Sequence, residues 1–273
     1  MSFTLPSRNT GMIMALEKLE SLATETNSLL CFGIDPVKSR MKAETVPYFS
    51  EIVDALLEEN LISAIKPNYA YFAAVGFDGL FALKELIDRY KSKTFVILDA
   101  KRGDIGKSSE AYAEEAYSFW GADAATVSPY MGKDSVMPFV QKNKLAYMLG
   151  RTSNPGAADF QEKILKETKA PFYEDVFSKA RDWGTGLVVG ATSDTIPKAV
   201  EIAGKDTPLL IPGIGAQGGS FNTLHALQGN PFIHRVNSSS AIAYAHEGSK
   251  ETPVNAAVAE AKKTKEKINS IVF

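Results

Sequence analysis

Eight short apolar runs punctuate the chain, at 29–34, 62–65, 95–98, 122–127, 146–149, 186–189, 209–211 and 232–236, nearly all bounded by Gly, Pro, Asp or Asn. Between them lie amphipathic stretches such as 48–59, 80–90, 110–120 and 220–227. Runs of this length between turn formers read as strands, and the stretches between them as helices. Strand and helix in strict alternation build a parallel sheet, because each strand must return to the same end of the sheet before the next begins. Eight units fit a closed (β/α)8 barrel, whereas an open doubly wound sheet uses fewer strands. Residues 1–273 are therefore read as one α/β barrel domain, with 11–24 an additional N-terminal helix able to cover the barrel floor. The connection 151–183 is longer than a βα loop plus helix and carries Ser153-Asn154-Pro155-Gly156 near its start, which predicts a lid or pocket wall.

Composition narrows the partners. Thirty basic against 32 acidic side chains leave a formal charge of -2, too even a balance to hold a nucleic-acid backbone or an anionic membrane, so neither is expected as a partner. No apolar run approaches the roughly 18 residues that span a bilayer, and a cytoplasmic protein is expected. The single cysteine, Cys31, excludes an intramolecular disulfide or a multi-thiolate metal site and sits in an apolar run, as an inert core thiol would. His225, His234 and His246 show no metal-ligand spacing, and Trp120, Trp183, Tyr69, Tyr71 and Phe72 read as packing residues.

In a parallel barrel the C-terminal strand ends share one mouth. Those ends deliver Asp35, Lys66 and Asn68, Asp99 and Lys101, Ser128, Thr152 and Ser153, and, with the eighth strand read as 232–236, Arg235. Strand periodicity places Asp99 and Lys101 on one face, where carboxylate and ammonium touch. Lys66 flanks Asp99 from the neighbouring strand, and Asp104 past Gly103 adds a second acid, giving two charges of each sign. Such an alternating array is tolerable where one unpaired buried charge is not.

Gly103-Asp104-Ile105-Gly106-Lys107-Ser108 ends like a phosphate-binding P-loop but has two residues between its glycines instead of four. Gly213-Ile214-Gly215-Ala216-Gln217-Gly218 does fit a dinucleotide fingerprint, yet some 20 residues on, where an acid is wanted, stand His234 and Arg235. In a barrel the same glycines after the seventh strand suit a phosphate site, with Gln217 and Arg235 as side-chain donors.

With Asp99-Ala100-Lys101-Arg102-Gly103-Asp104-Ile105 matching D-x-K-x-x-D-I, the chain resembles the orotidine 5'-phosphate decarboxylase family, in particular its longer bacterial (type 2) members. Phe32-Gly33-Ile34-Asp35-Pro36, Ile65-Lys66-Pro67-Asn68, Thr152-Ser153-Asn154-Pro155-Gly156 and Ile211-Pro212-Gly213-Ile214-Gly215 accompany it in the expected order. The resemblance implies a homodimer with shared sites that converts orotidine 5'-monophosphate to UMP and carbon dioxide, the last step of UMP synthesis de novo, without metal or organic cofactor. It implies Lys101 as proton donor and Asp99 and Lys66 in the charged array. Asp104, Ile105 and Ser108 would reach into the neighbouring subunit's site. Asp35 and Lys66, with Asn68, would hold the ribose hydroxyls, Ser153 would read the pyrimidine edge, Pro212 would line the base pocket, and Gln217 and Arg235 would grip phosphate. Three other readings stay open. One is a magnesium-dependent sugar-phosphate enzyme such as hexulose-phosphate synthase, which Lys66 weighs against because a cation there would compete with the metal. The others are a non-catalytic nucleotide-binding barrel and an open-sheet nicotinamide oxidoreductase.

Overall fold

The computed structural model describes residues 10–191, 194–214 and 221–273, with side chains from residue 14 onward. Its eight strands are β1 (Leu30–Ile34), β2 (Ala64–Pro67), β3 (Phe95–Arg102), β4 (Ala124–Val127), β5 (Leu145–Leu149), β6 (Gly186–Val188), β7 (Leu209–Pro212) and β8 (Arg235–Ser238). Every neighbouring pair is parallel, and β8 returns to β1 to close the barrel in sequence order.

Period-two alternation sorts each strand's side chains between two cores. Phe32, Ile65, Val96, Leu98 and Met148 face outward into the layer shared with the surrounding helices. Cys31, Ala64, Phe95, Ile97, Ala124, Leu145, Tyr147 and Leu210 face inward. The inner core is completed by Ala15, Leu16 and Leu19 of the helix Thr10–Thr26, so the predicted N-terminal helix plugs the barrel floor. Gly186 is required where it stands: a Cβ there would lie 2.7 Å from the Tyr147 ring and 2.8 Å from the Pro208 carbonyl. Cys31 is the inert thiol expected, since burial pushes it up to about 12.

Two elements depart from the sequence reading. The helix predicted over 110–120 is an α-helix, Gly106–Glu114, running into a π turn, Glu115–Phe119. That turn aims Glu115 at Arg102, which it grips through Nη2 at 2.7 Å. The larger departure is β8, which begins rather than ends at Arg235. Pro231 starts a 3-10 turn, Pro231–Ile233, whose Ile233 is buried beside the floor helix, so the apolar residues 232–233 are not strand. The connection 151–183 folds back on the barrel. Gln161 accepts from the Thr152 amide at 2.8 Å and Glu162 pairs with Arg151, which ties the segment to the end of β5, and none of its residues lines the cavity at the barrel mouth.

Candidate active site

The inward parity that fills the barrel with apolar residues places polar ones at its mouth. On β2 the inward position after Ala64 is Lys66; on β3 those after Phe95 and Ile97 are Asp99 and then Lys101. Lys66 Nζ lies 2.8 Å from Asp99 Oδ2, and Lys101 Nζ lies 2.7 Å from Asp99 Oδ1. One carboxylate is thus held between two ammonium groups. Lys66 and Asp99 are buried, while the Lys101 side chain is half exposed toward the mouth. Burial alone would lower Lys66, but Asp99 and then Asp35 hold its ammonium above the ordinary lysine value. Burial alone would raise Asp99, but Lys66 and Lys101 hold its carboxyl below the usual carboxylate range.

The Asp99–Lys101 contact is reached by a route the regular pleat does not supply. Lys101 has φ 46°, left-handed backbone for a side chain with a full Cβ, and the pairing of β3 with β4 slips between Leu98 and Arg102. Such a conformation costs about 1–3 kcal/mol and persists only where surroundings enforce it. Thr126 on β4 does so. Its Oγ1 accepts from the Lys101 amide at 2.9 Å and donates to Asp99 Oδ1 at 2.9 Å. Thr126 is a site residue that sequence reasoning missed; a hydroxyl amid Ala124, Ala125 and Val127 was its only signal, and threonine is ordinary in strands. Arg102 is removed from the mouth by Glu115 and by the rings of Tyr69 and Tyr112, 4.4 and 4.7 Å from its guanidinium.

A cavity of about 370 Å³ opens over Lys66 and Asp99, and Asp35, Asn68 and Pro212 also line it; Lys101 meets it through its contact with Asp99. Among the described residues, Asp35 Oδ1 and Asn237 Oδ1 are buried without a hydrogen-bond partner, so two acceptors stand ready for donors on a bound molecule. Gly33 makes room at this end, since a Cβ there would fall 1.9 Å from Ser239 Oγ.

Other predicted residues lie elsewhere. Asp104 does not join the array. Its Oδ1 accepts from the Ile105 amide at 2.8 Å, and Ile105 and Ser108 are exposed on the segment that follows. The array of one chain therefore has three charged members, where four were expected. Ser153 is exposed in the loop after β5, against Gly190. Gln217 lies outside the described residues. Arg235 is a correction: it is fully buried at the start of β8, and its guanidinium donates to the carbonyls of Phe232 at 2.9 Å, His234 at 2.7 Å and Leu19. From the floor it cannot grip anything at the mouth. Among the described residues no three His, Cys, Asp or Glu side chains form a group able to hold a metal, and no helix is long and apolar enough to cross a membrane.

Comparison with known proteins identifies the family. Residues 28–266 match the Orotidine 5'-phosphate decarboxylase / HUMPS family. The orotidine 5'-phosphate decarboxylase of Herpetosiphon aurantiacus is 38% identical over 260 residues, covering 91% of this chain and 96% of the relative. That of Ralstonia nicotianae is 43% identical over 272 residues, covering 93% and 97%. The solved structure of Leishmania donovani OMP decarboxylase superposes with a TM-score of 0.78 at 33% identity, covering 95% of this chain and 99% of that one.

Proposed function

Because the chain belongs to the Orotidine 5'-phosphate decarboxylase / HUMPS family, we propose that it decarboxylates orotidine 5'-monophosphate to UMP and carbon dioxide, using its own side chains alone. The observation that carries this reading is the Asp99 carboxylate clamped between Lys66 and Lys101 at the edge of a nucleotide-sized cavity.

Breaking the bond from the ring carbon to the carboxyl group leaves an electron pair in the plane of the pyrimidine, out of reach of its π system. A cation fixed beside that carbon stabilises the pair as it forms. Lys101 is such a cation, positioned before reaction by Asp99 and by the Thr126 clasp on its own amide. The pair then takes a proton from Lys101 Nζ, and the resulting amine regains one from solvent through the exposed half of the side chain. Lys66 balances the Asp99 charge and, with Asp35 and Asn68, faces the ribose hydroxyls, for which the unpartnered Asp35 oxygen is the acceptor. Ser153 is assigned to the pyrimidine edge, Pro212 to the base pocket and Gln217 to the phosphate. A nucleotide carrying both a phosphate and a carboxylate does not cross a bilayer unaided, which supports placing the reaction in the cytoplasm.

The assembly that fits is a homodimer. Tyr71, Phe77 and Phe81 after β2, Ile105 after β3, and Tyr130 and Met131 after β4 are all exposed large apolar side chains on consecutive βα segments. A second copy covering that face would receive Asp104, Ile105 and Ser108 near its own mouth. Mixing inactive Asp99→Ala and Asp104→Ala chains then rebuilds one intact site per mixed dimer, roughly a quarter of wild-type activity for random pairing. Demonstrated mixed dimers without activity would rule out sharing.

The function itself is tested by following loss of the orotate absorbance in buffer containing EDTA. Steady turnover with release of carbon dioxide is expected; no absorbance loss, or activity that returns only with a divalent metal, would overturn the reading.

A further inference from the structure

With Arg235 on the floor, the end of the cavity far from Asp99 lacks the cation that the sequence assigned to it. That end is walled by Gly213 and Ile214 after β7 and by Ser239 and Ser240 after β8. Charged residues lining the cavity are Asp35, Arg40, Lys66 and Asp99. Lys66 is spent on Asp99. Arg40, in the turn Lys38–Arg40 after β1, is not spent inside the cavity at all. Its Nε and Nη2 donate to Glu247, at 2.8 and 2.6 Å, and Glu247 is not a lining residue. Among the described residues, Nη1 makes no hydrogen bond.

The guanidinium carbon sits 4.1 Å from the centroid of the Tyr244 ring. That ring is a fixed platform, because Tyr244 Oη donates to the Asp35 carbonyl at 2.8 Å and accepts from the Val37 amide at 2.8 Å. Ring and turn are therefore locked to β1, while the ion pair on top stays open to water: the Arg40 and Glu247 side chains are 35% and 45% exposed. A pair so exposed contributes little to stability, so exchanging its anion costs the fold little. A phosphate monoester offers more charge than a carboxylate in the same two-point geometry that an arginine fork recognises.

We propose that Arg40 is the residue that selects a phosphorylated substrate, its fork leaving Glu247 to take the 5'-phosphate at the β7–β8 end of the cavity. The assignment rests on the decarboxylase reading and adds to it the residue that distinguishes nucleotide from nucleoside. Stacking on Tyr244 lets the guanidinium turn without losing its aromatic contact.

The test compares UMP with uridine by titration calorimetry or NMR on the full chain. Arg40→Ala should weaken UMP roughly 30-fold and leave uridine within about twofold. Arg40→Lys should fall between, and free guanidinium ion should restore part of the UMP affinity to the alanine variant. Glu247→Gln should bind UMP at least as tightly as wild type, since the competing carboxylate is gone. Equal weakening of UMP and uridine, or unchanged UMP binding, would overturn the assignment while leaving the decarboxylase reading intact. A wild-type chain that releases no carbon dioxide from orotidine 5'-monophosphate would sink that reading first and this one with it.

Discussion

The mouth and the floor of the same barrel each bury a cation, and they treat it in opposite ways. At the mouth Lys66 faces a carboxylate that a second ammonium also holds. At the floor Arg235 has, among the described residues, no carboxylate as a hydrogen-bond partner and none at all on Nε; carbonyls of Phe232, His234 and Leu19 satisfy the rest of it. Burial lowers Arg235 to about 10, whereas Lys66, equally deep, is raised by its acids. Carbonyl dipoles hold a charge in place but cannot give it up or share it. A carboxylate between two ammonium groups leaves one of them, the half-exposed Lys101, able to respond to charge that develops nearby. The floor is thus a clasp tying the N-terminal helix to the barrel, and the mouth is a poised electrostatic site.

The sharpest break of that contrast is Lys101→Ala. Turnover should fall by roughly 10⁴-fold or more, the combined worth of charge stabilisation and proton donation, while UMP binding stays within a few-fold. A near-normal kcat in that variant would remove the mechanism. Lys66→Ala is a poorer probe, because it leaves a buried carboxylate half paired and endangers the fold itself. Next in size is Thr126→Val, which keeps the shape and deletes the hydroxyl that bridges the Lys101 amide and Asp99. Loss of about 1–3 kcal/mol of positioning predicts a kcat lower by about tenfold to a hundredfold with UMP affinity unchanged. An unchanged kcat would show that Lys101 holds its left-handed backbone without help.

Arg235→Met probes the other end. Three carbonyls lose their donor, at a cost of about 3 kcal/mol, or roughly 5 °C in Tm for a chain of this size, while kcat per folded molecule should be kept. If instead UMP binding collapsed at unchanged Tm, the phosphate role that the sequence suggested for Arg235 would return.

That misplacement shows what the sequence could and could not convey. The barrel was legible because eight apolar runs and their polar ends repeat one physical unit, and the contact of Asp99 with Lys66 followed from inward parity on two adjacent strands; Asp99 and Lys101 were legible as neighbours, but they meet through the left-handed backbone of Lys101 and not through the pleat. Arg235 was misread because Phe232 and Ile233 extend an apolar run that Pro231 turns into a 3-10 segment, which shifts the strand start by three residues and exchanges mouth for floor. Hydrophobicity reports burial and not direction along a barrel axis. Thr126 and Arg40 left no pattern: one is an unremarkable strand residue, the other a loop arginine whose importance depends on Tyr244, some 200 positions away. Asp104 was legible as an acid of the motif, but within the chain it turns to the Ile105 amide and stands off the array.

The smallest expected effect separates the two ends by pH. His234 is buried beside Arg235, and its Nδ1 accepts from the Leu209 amide at 3.1 Å. Burial, with Arg235 adding, pushes it down to about 3, whereas in the unfolded chain it titrates near 6.5. Between those values the unfolded chain carries the extra proton, so acidification favours unfolding: the contribution is complete above about pH 6.5 and is lost as pH falls toward 3. At pH 5 the loss is about 2 kcal/mol, or roughly 3 °C in Tm. Asp99, held low by its two lysines, binds no proton until well below that pH, so the charged array stays out of the window. His246 is also lowered, by burial first and then by Lys42, and pulls the same way. Two variants therefore apportion the slope: His234→Gln, which keeps an acceptor for the Leu209 amide but cannot titrate, should flatten the fall in Tm between pH 7 and pH 5 more than His246→Gln does. A full slope in His234→Gln would mean that the proton is already on the folded ring, beside a guanidinium and with no carboxylate among the hydrogen-bond partners of either group in the described residues.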